Sequence, residues 1–82
     1  MEKTLHRKEY QIILRLLIQA RKAAGVTQVN LAASLDIPRS TVSKWETGEQ
    51  RIDLLELWSV CDAIGVDPIQ LLMAFRKKWK RN

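Results

Sequence analysis

Apolar residues recur at three- and four-residue steps through most of the chain, and nowhere do they alternate as a half-buried strand requires. Tyr10, Ile13, Leu14, Leu17, Arg21 and Ala24 fall on one face of a first amphipathic helix spanning about 7–24, with Gly25 as its stop. Thr27 is a good N-cap for a second helix that runs to Leu35. Asp36-Ile37-Pro38 then forms a turn, and Pro38 is compatible with the start of a third helix, where its missing N–H is unpaired anyway. That helix, about 39–47, ends at Thr47-Gly48. Asp53 caps a fourth helix over 54–64, with Leu54, Leu57, Val60, Cys61 and Ile64 facing inward. Gly65 ends it, and Asp67-Pro68 opens a fifth by the same cap-plus-proline logic. The pattern predicts an all-α protein, a compact five-helix bundle in one domain over 1–75 with a basic C-terminal tail at 76–82.

The third helix separates its side chains by chemistry. At about 100° per residue, Arg39, Ser40, Ser43, Lys44 and Thr47 share one arc of about 140°, while Val42 and Trp45 lie opposite. Two large apolar groups can anchor such a helix while donors and hydroxyls point outward. A DNA major groove admits one α-helix, and its base edges present a different hydrogen-bonding pattern for every base pair. Arg39, near the helix N-terminus, suits bidentate bonding to a guanine edge; Lys44, one turn later, is a less rigid donor. Ser40 and Ser43 are short, adaptable partners. These four are the candidate base contacts. Gln28 begins the second helix, where free backbone N–H groups and the helix dipole favour a phosphate. Thr47, Gln50 and Arg51 are candidate phosphate contacts on the other flank, which position a protein without reading sequence.

From Thr27 to Gly48 the chain closely resembles the phage-repressor (Cro-like, Xre-type) helix-turn-helix DNA-binding family. Thr27-Gln28 opening the first of the two helices, Leu31-Ala32 within it, Ser40-Thr41-Val42-Ser43-Lys44-Trp45-Glu46 along the second and Gly48 at its end carry the resemblance. It extends over flanking helices from about Tyr10 to Leu72. It implies that helices two and three form the helix-turn-helix, that positions Arg39, Ser40, Ser43 and Lys44 touch bases, and that Gln28 meets the DNA backbone. It also implies a partly buried ion pair between Arg21 and Glu46. The chain departs from the family after Gly48, where basic residues and a proline are usual: here it reads Glu49-Gln50-Arg51-Ile52, and Glu49 repels a nearby phosphate.

Charge adds less than its total suggests. The net charge is +5, from 14 basic and 9 acidic residues. Five of the basic residues and no acid lie in 76–82, so the rest of the chain carries 9 of each sign. The case for DNA therefore rests on where individual charges point. The tail itself is expected to reach along a phosphate backbone, each neutralised phosphate adding about 0.9 to the salt slope.

Catalysis finds no constellation: His6 is isolated near a terminus, the hydroxyl residues lack a nearby base, and neither a carboxylate pair nor a glycine-rich phosphate loop is present. Neither a cofactor nor a metal site is expected, since the single Cys61 cannot make one with His6. Cys61 sits in an apolar helical pattern and is expected to be a buried, unreactive thiol. No apolar run approaches the ~18 residues of a membrane span and no signal-peptide core follows the N-terminus, so a cytoplasmic protein is expected.

Apolar residues exceed what one core face needs. Leu5, Ile12 and Leu16 make a second stripe on helix one, Trp58 follows the core position Leu57, and Leu72, Phe75 and Trp79 run along helix five. Proteins of this kind read two half-sites about one DNA turn apart. The expected partners are thus a double-stranded DNA operator and a second copy of the chain, with Trp58, Leu72, Phe75 and Trp79 as the dimer or partner surface. The expected function is a small dimeric repressor. The alternative is the antitoxin of a toxin–antitoxin pair, with the second stripe of helix one facing the toxin.

Overall fold

A computed structural model of the protein describes residues 7–79. The chain runs α1 (Lys8–Ala23), α2 (Gln28–Leu35), α3 (Arg39–Thr47), α4 (Leu54–Ile64) and α5 (Pro68–Lys78). Local chemistry sets most of these limits. The Asn30 amide donates to Thr27 Oγ1 (3.0 Å) at the start of α2. At α4, Asp53 and Glu56 form a reciprocal capping box: the Glu56 amide donates to Asp53 Oδ1 (2.7 Å) and the Asp53 amide to Glu56 Oε1 (2.9 Å). Asp67 caps α5 through the Ile69 amide (2.9 Å), and Pro68 occupies its first position. At the end of α3, Gly48 adopts φ +83°, a left-handed conformation that turns the chain out of the helix without a Cβ clash.

α2 packs against α3 and α4, while α1 lies across α3, α4 and α5, so every helix contributes to one core. Leu14 and Leu17 from α1 meet Leu31 and Ala32 from α2, Val42 and Trp45 from α3, Leu57, Val60, Cys61 and Ile64 from α4, and Leu71 from α5. Burying a large aliphatic side chain of this kind contributes about 1.5–3 kcal/mol before entropy is subtracted. Ile52, in the connection after α3, joins the same core, and its amide donates to Tyr10 Oη (3.0 Å) on α1. That bond ties the end of α3 to a helix 42 residues away in sequence.

Several sequence expectations need correction. Leu54 is 60% exposed rather than inward. It stands on the first residue of α4, about 20° beyond the edge of the arc set by Leu57, Val60, Cys61 and Ile64. Ala24 is exposed because α1 has already ended and it serves as the C-cap. Pro38 stands at the start of α3 as its N-cap, in an extended conformation. The boundary drawn at residue 75 falls inside α5: Arg76, Lys77 and Lys78 complete the last turn, where cations complement the helix dipole. Lys80, Arg81 and Asn82 of the expected tail, and Leu5 and His6, lie outside the described residues. Among the described residues no single helix is long and apolar enough to cross a membrane.

Candidate nucleic-acid interface

α3 is held from behind. Val42 and Trp45 are nearly fully buried, at 1% and 4% exposure, and fix the rotation of the helix about its axis. Glu46 fixes its tilt. Arg21 on α1 grips this carboxylate with both arms of its guanidinium, Nε to Oε2 at 2.7 Å and Nη2 to Oε1 at 2.9 Å. Its third nitrogen, Nη1, donates to the Val26 carbonyl (2.9 Å) in the connection between α1 and α2. Two charged side chains, each about one-tenth exposed, thus bind α1, the following turn and α3 into one unit. The ion pair implied by the resemblance is present and bidentate, a geometry that a lysine could not supply.

Gln28 joins the same cluster. Its Nε2 donates to Glu46 Oε1 (2.8 Å), so the side chain links the first residue of α2 to α3 inside the protein. The sequence placed Gln28 at a phosphate. The structure adds a partner that sequence spacing did not reveal, since positions 18 residues apart in the chain carry no periodic signal for such a contact. One amide hydrogen of Gln28 and the free backbone N–H groups of the first turn of α2 remain for an anion.

The opposite side of α3 faces solvent. Arg39, Ser40, Lys44 and Thr47 are exposed and Ser43 is half-buried at the margin of the arc. The expected division of the helix is therefore found, with Ser43 nearer the protein than the other three candidate base contacts. Thr47 spends its hydroxyl proton on the Lys44 carbonyl of its own helix (3.3 Å), leaving the oxygen only as an acceptor. Beyond it, the Gln50 amide closes the end of α3 by donating to the same carbonyl (3.1 Å). The side chains of Gln50 and Arg51 are exposed, as is that of Glu49.

A shallow cleft of about 490 Å³ opens between the end of α1 and the start of α3, lined by Lys22, Thr27, Gln28 and Arg39 among others. It brings Arg39 beside the N-terminus of α2. It also brings in Lys22, which the sequence reading passed over; its only signal was a cation in the last turn of α1. Two cations flanking the positive end of a helix form an arrangement suited to a phosphate.

The apolar surface residues do not form one patch. Leu72, Phe75 and Trp79 line a groove of about 240 Å³ with Tyr10 and Ile13 of α1, and Phe75 and Trp79 meet edge to face at 5.8 Å. Trp58, 43% exposed, lies on α4 beside exposed Leu54 and Leu55 and takes no part in that groove.

The five helices of the described residues, with α2 and α3 in register and an outward-facing polar arc on α3, define a helix-turn-helix DNA-binding module of the transcription-regulator class. Residues 17–71 match the helix-turn-helix family. The chain is also similar to the solved structure of an XRE-family like protein from Pseudomonas syringae pv. tomato str. DC3000, at 45% identity, with 94% of each chain covered and a TM-score of 0.86. A search of curated proteins gave no match. The chain belongs to the XRE-type helix-turn-helix family.

Proposed function

We propose that this protein is a small sequence-specific transcriptional repressor that binds an operator as a two-fold dimer and lays α3 in the major groove. The observation that carries this reading is the two-sided construction of α3. Its inner side is locked by Val42, Trp45 and the Arg21–Glu46–Gln28 cluster, and its outer side offers Arg39, Ser40 and Lys44 to solvent. A locked helix presents its donors at little further entropic cost on binding, which is what base readout needs. Arg39, Ser40, Ser43 and Lys44 read base edges. The phosphate on one flank sits at the start of α2, met by Lys22, by backbone amides and by the remaining hydrogen of Gln28. Gln50 and Arg51 hold the other flank, with Thr47 lending at most a weak contact. Exposed Trp58 and Trp79 support self-association, and a dimer places two recognition helices on half-sites about one DNA turn apart.

The test is binding to the DNA just upstream of the gene for this protein, with excess nonspecific competitor, comparing wild type with Arg39→Ala/Lys44→Ala. Tight binding by the wild type that the double variant loses, at an unchanged melting temperature, is the expected result. Equal weak binding by both defeats groove reading by α3.

A further inference from the structure

The second stripe of α1 is not an exposed ridge. Ile12 and Leu16, one helical turn apart, are both half-buried and line a groove of about 510 Å³ between α1 and the end of α5, together with Arg15, Gln19, Lys77 and Lys78. The aliphatic pair lies between walls of positive charge: Arg15 stands on the α1 side, Lys77 and Lys78 on the α5 side. Among the described residues no carboxylate lines the groove. Among the described residues the ion pairs are Arg7–Glu9 and Arg21–Glu46, so none of these three cations is neutralised there. The groove is also remote from the recognition helix in connectivity, because α5 makes no direct packing contact with α3.

We propose that this groove is a docking site for an acidic amphipathic helix of a partner protein. The chemistry of the lining selects that occupant. A nucleic-acid backbone satisfies the cations but gains nothing from the half-buried Ile12 and Leu16. A purely apolar segment covers the aliphatic pair and strands three charges. A helix with apolar residues one turn apart and carboxylates on either side of them meets both demands at once, by the helix-in-groove mode of recognition. Gln19 is placed to bond backbone or side-chain amides of the entering segment. The proposal is independent of the DNA reading, since its residues and those of the α3 face do not overlap.

The probe is a synthetic amphipathic helical peptide with leucines one turn apart flanked by glutamates, fluorescently labelled and titrated with the full-length protein. Controls are the same composition with the leucine spacing scrambled, and a version with serine for leucine. Saturable binding of the first peptide, at least about tenfold tighter than either control, with amide resonances of Ile12, Arg15, Gln19, Lys77 and Lys78 shifted, is expected. Arg15→Glu and Lys77→Glu/Lys78→Glu, all at exposed positions, weaken peptide binding at least about tenfold while the protein stays folded by circular dichroism, the lysine pair losing some stability because it reverses charge at the C-terminus of α5. Ile12→Ser weakens peptide binding and leaves operator binding as in the wild type. Equal binding of the serine peptide, shifts falling on α3, or retained peptide affinity in the charge-reversed variants overturns the proposal. So does loss of DNA affinity in Lys77→Glu/Lys78→Glu with peptide binding intact, which would assign these cations to phosphate.

Discussion

Glu46→Ala isolates the consequence of the buried cluster most directly. In the native protein the Glu46 carboxylate accepts three bonds of 2.7–2.9 Å, two from Arg21 and one from Gln28. Its removal leaves a guanidinium in a residue only 7% exposed, with the Val26 carbonyl as its remaining partner, and strips Gln28 of its link to α3. Breaking one side of a buried pair costs about 3–5 kcal/mol, because the surviving charge is neither solvated nor compensated. A domain of this length holds about 4–12 kcal/mol in total, so the variant sits near the edge of unfolding. At about 4–8 °C per kcal/mol, its melting temperature falls by at least about 12 °C. Urea unfolding followed by circular dichroism gives the free energy directly, and the slope of the transition checks that the unfolding remains two-state. Operator affinity falls as well, because α3 loses its tilt restraint. Arg39→Ala is the paired control: the Arg39 side chain is exposed and makes no hydrogen bond or ion pair among the described residues, so its loss weakens DNA binding and leaves melting unchanged. A loss below about 1 kcal/mol for Glu46→Ala would show that the cluster carries no such energy. Equal melting shifts for the two variants would refute the division of labour between the faces of α3.

Other outcomes follow from single features. Gln28→Ala, read by the same unfolding assay, costs about 1 kcal/mol, the usual net worth of one hydrogen bond, and a wild-type stability would place Gln28 outside the cluster in solution. Gly48→Ala forces a Cβ into φ +83° and destabilises by about 1–2 kcal/mol, measured by thermal melting; no change would mean that α3 ends differently. Asp53→Ala removes the capping box of α4 and costs about 0.5–2 kcal/mol in urea. Burial pushes the Cys61 thiol up from its ordinary value of 9.0, and the Asp67 carboxylate adds to the effect. Because the folded value is the higher one, stability is intact below 9.0 and declines as pH rises from there through the folded value. Cys61→Ala flattens that alkaline decline, and in the wild type a thiol reagent reacts only at the rate of unfolding.

Much of the fold is local and therefore legible in the chain. Helix spacing, three glycines, the caps at Thr27, Asp53 and Asp67 and the proline at 68 act within a turn or two of themselves, and α2, α3 and α4 fall within a residue of their expected limits. The two faces of α3 follow from periodicity alone, because Val42 and Trp45 can only be buried together if Arg39, Ser40 and Lys44 are not. Packing decided the rest. Leu54 stands only about 20° outside the buried arc of α4 and is nonetheless 60% exposed, whereas Leu57 in the same turn is buried. Ile12 and Leu16 read as a free stripe, and only the crossing of α5 over α1 turns them into part of a groove walled by Lys77 and Lys78. Gln28, Arg21 and Glu46 converge, and Tyr10 reaches Ile52, through separations of 18 to 42 residues that leave no trace in a periodic pattern. Short-range hydrogen bonding and periodicity wrote the helices into the sequence; which faces met, and which charges were left without partners, depended on distances that exist only once the helices are packed.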